Sequence, residues 1–195
     1  DDVMAWLYFF AGVLIPLALG WVRGRFFSFR AQAPIDYMSD YKFDIREVLD
    51  GPIVCEGVIF GPLGRVTSRF TARFDATWDG NTGTMMEEFH YDSGNLQNRV
   101  WILTLLDGGI ITAKAADLIG EGRGQQAGNA VFLAYKIKLS DDAGGYALDV
   151  RDWMYLMPNG TVMNRSQFRK FGFKVAELVA TMRPATASDM MEHAR

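Results

Sequence analysis

The sequence has little of the side-chain chemistry on which most enzyme classes depend. It contains one cysteine, Cys55, and two histidines, His90 and His193. A single cysteine excludes an internal disulfide and a zinc site built from several thiolates, and two histidines leave little for a histidine-rich metal site. GxGxxG, GKS or GKT, HExxH and GxSxG motifs are all missing. The sequence therefore predicts no catalytic residue, no metal and no cofactor.

The composition favours a folded protein that does not bind nucleic acid. Hydrophobic residues make up 49% of the chain and charged residues 22%, which is enough apolar material for a packed core. The formal net charge is −3, so the chain lacks the basic excess that general nucleic-acid binding needs. A length of 195 residues fits one ordinary domain plus an appendage.

An uncharged apolar run occupies the N-terminal part of the chain. No charged side chain occurs in residues 3–22, and a helix of that length spans roughly 30 Å, the thickness of the bilayer hydrocarbon. Trp6, Tyr8 and Trp21 lie near its ends, where interfacial aromatics are common. We predict a transmembrane anchor at residues 1–25, with a buried core helix and a cleaved signal peptide as the alternatives.

Basic residues follow the apolar run, whereas a signal peptide would carry them before it. Arg23, Arg25 and Arg30 come directly after the run, which favours an uncleaved, single-pass anchor. The positive-inside rule places these arginines and the domain after them in the cytoplasm, with the N-terminus outside. A periplasmic domain is the alternative.

Residues 26–50 form a connector that we expect along the membrane surface, with a short helix at residues 43–49. After the connector, the hydrophobic pattern has a period of two, which is typical of strands. Residues 65–78 are the clearest case. One face of that stretch carries Val66, Ser68, Phe70, Ala72, Phe74, Ala76 and Trp78. The other face carries Arg65, Thr67, Arg69, Thr71, Arg73, Asp75 and Thr77.

Further stretches of the same kind predict an all-β domain at residues 51–183. The predicted strands cover residues 52–60, 65–78, 84–91, 96–106, 110–115, 129–139, 146–157 and 161–168, and residues 174–182 fit a strand or a short helix. Turns rich in Gly and Asn join them, which indicates an antiparallel up-and-down meander of eight or nine strands. Closing that meander removes exposed edges and gives a calycin- or lipocalin-like barrel. A two-sheet sandwich is the alternative, and residues 184–195 are expected to form a flexible tail.

The glycine-rich stretch at residues 120–129 raises the question of a phosphate loop. It lacks the Lys-Ser or Lys-Thr ending of such loops, and no helix clearly follows it. We interpret it as a long barrel loop or a bulged strand.

Asp152 is the polar residue that is most informative about a site. It alternates with Leu148, Val150 and Met154 on an apolar face, so its carboxylate must be paired or hydrogen-bonded. It therefore anchors either a ligand cavity or a buried structural pair, with Arg69, Arg99 and Arg165 as the candidate partners. The predicted ligand-binding residues are Arg69, Trp78, Arg99, Trp101, Glu121, Asn129, Asp152, Trp153, Asn164 and Arg165.

Other titratable residues fit catalysis less well. Adjacent strand residues point to opposite faces, so Glu87 and Glu88 cannot form a carboxylate pair. A hydrolase built on Glu121 and Asp152 is a minor alternative. We expect His90 on the surface and Cys55 as a buried, inert thiol. The tryptophans Trp78, Trp101 and Trp153 are expected to fill the barrel core.

An ordered series of short motifs resembles the bacterial domain-of-unknown-function family 3833, whose members are often labelled lipoproteins. The resemblance covers residues 43–182. Its motifs are Gly64-Arg65, Trp78-Asp79-Gly80, Glu87-Glu88-Phe89, Tyr91-Asp92-Ser93-Gly94, Arg99-Val100-Trp101, Gly120-Glu121-Gly122-Arg123-Gly124, Asp152-Trp153-Met154-Tyr155, Asn164-Arg165 and Lys170-Phe171-Gly172. The resemblance implies a link to lipid chemistry and transfers no catalytic residue. The acylated cysteine of a lipoprotein is missing here, and an apolar span stands in its place.

Two functions from different classes follow. The first is a non-catalytic barrel, anchored in the bacterial inner membrane, that binds a lipid or another apolar small molecule. The second is an accessory subunit of a larger bacterial membrane complex, in which the helix packs on partner helices and the barrel caps one side.

Overall fold

The N-terminal run forms one long helix in a computed structural model that describes residues 2–141 and 144–192. Helix α1, Asp2–Phe26, contains Pro16 and leaves every side chain exposed. Its length and composition suit a membrane span, and a signal sequence meets the same criteria. Two 3₁₀ turns follow, Phe29–Ala31 and Pro34–Tyr37. Helix α2, Ile45–Val48, confirms the predicted short helix and is capped by the carboxylate of Asp44, which accepts a hydrogen bond from the Arg46 backbone N–H.

Ten antiparallel strands form the body of the described chain. They are β1 Gly51–Phe60, β2 Val66–Asp79, β3 Thr82–Tyr91, β4 Leu96–Leu105, β5 Ile110–Lys114, β6 Gly122–Ala127, β7 Ala130–Lys138, β8 Ala147–Leu156, β9 Val162–Lys170 and β10 Phe173–Pro184. Each strand pairs with its neighbour in sequence, and β10 pairs with β1 to close the barrel. The up-and-down barrel is thus confirmed, and the sandwich alternative is wrong.

The sequence pattern undercounted the strands because glycines hide one of them. Strand β6 lies within the glycine-rich stretch and brings the total to ten, whereas eight or nine strands were predicted. A Cβ on Gly124 would lie 1.8 Å from the Phe132 carbonyl oxygen, so the two strands approach too closely for any side chain there. These glycines therefore serve strand packing. The segment that fitted a strand or a helix is strand β10.

The interior is filled by the apolar set of each strand. Phe70 and Phe74 of β2 are buried, while Arg69 of the same strand faces outward, as the period-two pattern predicted. One end of the barrel is closed by Phe43, Ile45 and Leu49, which lie around α2 and are at most 2% exposed. We call this the closed end. It contains the β2–β3, β4–β5, β6–β7 and β8–β9 turns, and the opposite end is the open end.

The connector between α1 and α2 lies on the barrel wall. Arg151 donates a hydrogen bond to the Arg30 carbonyl at 3.0 Å, and Tyr155 donates one to Gln32 at 2.6 Å. Further along the chain, Tyr41 donates to the Met157 carbonyl at 3.1 Å. As the connector runs from Arg30 to Tyr41, its contacts therefore move along β8 toward the closed end. The connector reaches the wall from the open-end side.

The C-terminal segment folds back beside β10. Helix α3, Ala187–Glu192, follows the last strand, and Arg183 forms an ion pair with Asp189 at 2.8 Å. The remainder of the predicted flexible tail, residues 193–195, lies outside the described residues, and His193 is among them.

Candidate functional site

A cavity of about 100 Å³ lies inside the barrel, among mostly apolar side chains. Its walls include Phe70, Phe74, Met85, Trp101 and Leu133. A polar group, the interior polar cluster, lines the same space and consists of Glu87, Arg99, Tyr135, Asp152, Asn164 and Ser166. Ligand sites combine apolar walls with a few convergent polar groups in this way, although their volume is usually roughly 300–1,000 Å³. The enclosed space therefore accommodates only part of a ligand.

Asp152 is held by neutral donors, and none of the arginines that the structure describes pairs with it directly. Ser166 Oγ donates to Asp152 Oδ1 at 2.7 Å, and Asn164 Nδ2 donates to the same oxygen at 2.5 Å. Tyr135 donates its hydroxyl to Oδ2 at 3.3 Å. Burial raises the pKa of Asp152, and these three hydrogen bonds oppose that shift.

Arg99 belongs to a second set of charges beside this network. Its Nη2 and Nε lie 2.6 Å and 3.0 Å from Asp117 Oδ2, so one carboxylate oxygen takes two hydrogen bonds. The guanidinium also lies over the Trp101 ring, 5.5 Å from its centroid. Strand register places Glu87 directly opposite Arg99. Arg99 therefore sits between an interior carboxylate and one in the loop after β5.

Two buried carboxylate oxygens lack a hydrogen-bond partner within the described ranges. They are Glu87 Oε2 and Asp117 Oδ1. Burial raises the pKa of Glu87 to about 7, and the nearby Arg99 charge and a hydrogen bond from Trp101 only partly counter it. Buried polar atoms are normally satisfied, so two orphaned acceptors around one guanidinium mark a place where a ligand or water donates.

An open mouth lies beside β4, next to the interior. Pairing between β4 and β5 ends with Ile102 opposite Lys114, whereas β3 continues to pair with β4 as far as Leu96. The gap forms a mouth of about 950 Å³ that includes Tyr91, Ser93, Leu96, Gln97, Arg99, Ala116, Asp117, Lys138 and Ser140. Arg99 borders both this mouth and the enclosed cavity.

Four of the predicted site residues meet in the interior. Arg99, Trp101, Asp152 and Asn164 line the cavity. Trp78 lies toward the closed end, where its indole N–H donates to the Leu49 carbonyl at 2.7 Å.

Five predicted site residues lie elsewhere, three of them on the outer face of the barrel. Arg69 pairs with Asp92 at 3.3 Å, and Arg165 pairs with Glu177 at 2.8 Å. Trp153 is fully buried, but on the outer face beneath the connector. The Glu121 carboxylate lies 3.6 Å from the Lys114 ammonium and forms no pair with Asp152. Asn129 lies in the β6–β7 turn, where its backbone N–H donates to the Tyr37 carbonyl of the connector.

The sequence interpretation missed Glu87, Tyr135, Ser166 and Asp117. Glu87 alternates with Met85 and Phe89 just as Asp152 alternates with its apolar neighbours, so the same criterion selects it. Asp117 lies in a loop, where no periodicity exists to select it. His90 pairs with Glu88 at 2.6 Å on the outer face, and Cys55 is buried, which raises the pKa of its thiol. No group of three or more potential metal ligands is present in the part of the chain that the structure describes.

A closed antiparallel barrel with a polar cluster inside defines the class of this protein as a lipocalin-like barrel. The chain belongs to the family described as "Protein of unknown function (DUF3833)", whose model matches residues 25–184. That match confirms the resemblance carried by the ordered motifs over residues 43–182.

Two solved structures share the fold. The S-type phycobiliprotein lyase of Guillardia theta aligns with a TM-score of 0.54 and 10% identity, over 73% of this chain and 92% of its own. A protein of unknown function from the DUF3598 family of Nostoc punctiforme aligns with a TM-score of 0.51 and 11% identity, over 74% of this chain and 50% of its own. At these identities the likeness shows the fold alone. Among curated proteins, none matches this chain.

Replacing Glu87 tests the electrostatics of the cluster. Between about pH 4.5 and 7 the folded state keeps a proton on Glu87 that the unfolded state releases, so the stability of the wild type falls as pH rises. Above pH 7, ionised Glu87 lowers the free energy of unfolding by its full amount, roughly 3 kcal/mol. We expect the free energy of unfolding of Glu87→Gln, relative to that of wild type, to increase by about 2–3 kcal/mol as the pH rises from 5 to 8. Denaturant unfolding at each pH measures it. Glu88→Gln is the matched control on the exposed face, and an equal response from both variants would contradict the assignment.

Proposed function

We propose that this protein is a membrane-anchored, lipocalin-like barrel that binds an amphiphilic small molecule, a lipid in the first instance, without transforming it. The ligand lies in the mouth beside β4 and directs its polar group toward Arg99 and the interior polar cluster. This deep placement of the polar group agrees with the size of the enclosed cavity, which is too small for a whole acyl chain.

The position of Arg99, which lines both the mouth and the cavity, carries this proposal. Mouth and cavity share Arg99, so a ligand that enters from the gap meets a charged, hydrogen-bonding group on the wall that the mouth has in common with the mostly apolar cavity. The phycobiliprotein lyase with the same fold supports a ligand-handling use of such a barrel. Fold similarity alone does not name a ligand, so the chemistry of the lining decides the class.

Exposed apolar side chains at the open end support anchoring beside a bilayer. Leu63 in the β1–β2 turn is 93% exposed, and Phe171 and Phe173 at the β9–β10 turn are 88% and 76% exposed. Phe171 and Gly172 have φ of 51° and 83°, the positive values that a two-residue hairpin turn requires, so Phe171 lies at the tip of this turn. Because strands alternate in direction, these turns share the end at which the mouth opens.

The connector supports the same orientation. It reaches the barrel wall from the open-end side, so α1 joins the barrel on the side of the exposed phenylalanines. An anchored α1 would hold the mouth toward the bilayer, from which a lipid could enter. We propose the bacterial inner membrane for this arrangement, with the barrel in the cytoplasm as the positive-inside rule favours.

Native mass spectrometry of the full chain, extracted in a mild detergent, tests the binding proposal. We expect a lipid-sized ligand on the wild type. Ala116 is exposed in the mouth, so Ala116→Trp should fill the passage without disturbing the core and should lower ligand affinity about tenfold. Asn159→Trp adds the same side chain to an exposed turn at the closed end and should leave binding unchanged. Equal ligand occupancy in all three proteins, or none in any, contradicts the proposal.

An accessory subunit of a larger membrane complex is the second candidate function. The observation that favours it is α1, whose 25 residues present apolar side chains with none buried against the barrel. Partner helices could cover that surface as well as lipid can. The same spectra separate the two functions, because a stoichiometric protein partner without a small ligand would favour the subunit.

A further inference from the structure

The balance of donors and acceptors around Arg99 identifies the class of head group that the site accepts. The enclosed cavity and the mouth together contain three carboxylates, from Glu87, Asp117 and Asp152. Two cations line the same surfaces, Arg99 and the solvent-exposed Lys138. Acceptors therefore outnumber cations where a ligand would place its polar end.

The two unpartnered side-chain atoms near Arg99 are both carboxylate oxygens. Glu87 is 8% exposed, and its Oε2 has no donor among the described residues. Asp117 Oδ1, on the other side of Arg99, is also buried without a donor. Arg99 directs Nε and Nη2 to Asp117 Oδ2, so these two nitrogens are already committed within the protein. The unpartnered atoms beside Arg99 are therefore two carboxylate oxygens, which hydrogen-bond donors would satisfy.

We infer that the ligand presents a hydrogen-bond-donating head group, a protonated amine or a hydroxyl, to Glu87 and Asp117, and that an anionic head group is disfavoured. This inference rests on the proposed binding function and specifies its ligand class. An anion here would add a further negative charge beside three buried or half-buried carboxylates, which is costly in a medium of low dielectric constant. A hydrogen-bond donor instead satisfies whichever of the two orphaned oxygens it reaches.

Raising the pH should strengthen amine binding, because ionised Glu87 is the better acceptor. Several groups face Glu87 and share its field: Arg99, Asp117, Asp152, Tyr91, Tyr135 and Cys55. Of these, Arg99 favours the ionised carboxylate, whereas Asp152 and Asp117 oppose it. The change of amine affinity with pH therefore reflects the ionisation of Glu87 as its carboxylate neighbours modify it.

Three photoreactive probes test the inference on the full chain in detergent. They share one diazirine-bearing alkyl chain and end in an amine, a hydroxyl or a carboxylate. Labelling is mapped by peptide mass spectrometry to the strands that line the mouth and the cavity. We expect the amine probe to label these peptides about tenfold more than the carboxylate probe, with the hydroxyl probe between them.

Two variants connect the preference to the named oxygens. Glu87→Gln and Asp117→Asn should each reduce the amine preference several-fold, and Glu88→Gln on the outer face should leave it unchanged. Equal or stronger labelling by the carboxylate probe overturns the head-group inference while leaving the binding proposal standing. If no probe labels the mouth or the cavity, the binding proposal itself fails and the inference fails with it.

Discussion

Trp153→Ala should lower the free energy of unfolding by about 3–5 kcal/mol, the usual cost of truncating a fully buried tryptophan. Trp153 is 0% exposed and lies between the connector and the wall of the barrel. Its ring centroid is 5.1 Å from that of Tyr37 in the connector and 4.8 Å from that of Phe132 on β7. Truncation therefore removes one of the main apolar contacts between the connector and the barrel.

The measurement is equilibrium unfolding by denaturant, with limited proteolysis to locate the loosened segment. We expect new cleavage between α1 and α2 in Trp153→Ala, because the connector loses its anchor. Phe173→Ala removes an aromatic ring that is 76% exposed and should change stability by less than about 0.5 kcal/mol. A Trp153→Ala protein as stable as wild type, with a protected connector, would show that the ring does not hold the connector.

Trp153→Phe refines the result. The Trp153 Nε1 is buried, and no partner for it exists within residues 2–141 and 144–192. Phenylalanine keeps the aromatic contacts and removes this unsatisfied donor, so it should cost under about 1.5 kcal/mol. A loss as large as that of alanine would mean that ring size decides the stability here, and not aromatic contact as such.

Gly128→Ala should detach the same connector by a different route, at a cost of about 2–5 kcal/mol. Gly128 has φ of 53°, and a Cβ on it would lie 1.8 Å from the Tyr37 carbonyl oxygen. Its own carbonyl accepts a hydrogen bond from the Phe43 backbone N–H at 2.7 Å. An added methyl group strains the backbone and also separates it from the connector.

Gly120→Ala is the matched control for this variant. Gly120 has φ of 79° with no atom within 4 Å of a Cβ, so alanine there carries the conformational cost alone. We expect Gly120→Ala to lose about 1 kcal/mol and to keep the connector protected from protease. If both variants behave alike, backbone strain rather than close approach of the connector explains the role of Gly128.

Local periodicity in the sequence determined the barrel wall. The alternation in β2 assigned Phe70 and Phe74 to the interior and Arg69 to the exterior because a strand fixes the face of each residue by its parity. The same parity predicted that Asp152 is an interior carboxylate needing partners, and the structure supplies Tyr135, Asn164 and Ser166. The apolar N-terminal run was equally clear, since length and hydropathy alone predict such a helix.

Contacts between distant segments were decided only by the tertiary structure. Trp153 is buried on the outer face because the connector, with Tyr37, covers it. The alternation of residues along β8 assigns Trp153 to the outer face but cannot show that another segment packs there. Strand β6 escaped the pattern because its glycines permit a close approach of backbones and leave no side chains to alternate. The pairing of Arg99 with Asp117, and the orphaned oxygens beside it, depend on where β5 stops pairing with β4. Periodicity is a property of single strands, whereas the mouth and its charge balance arise from several strands and a loop brought together by closure of the barrel.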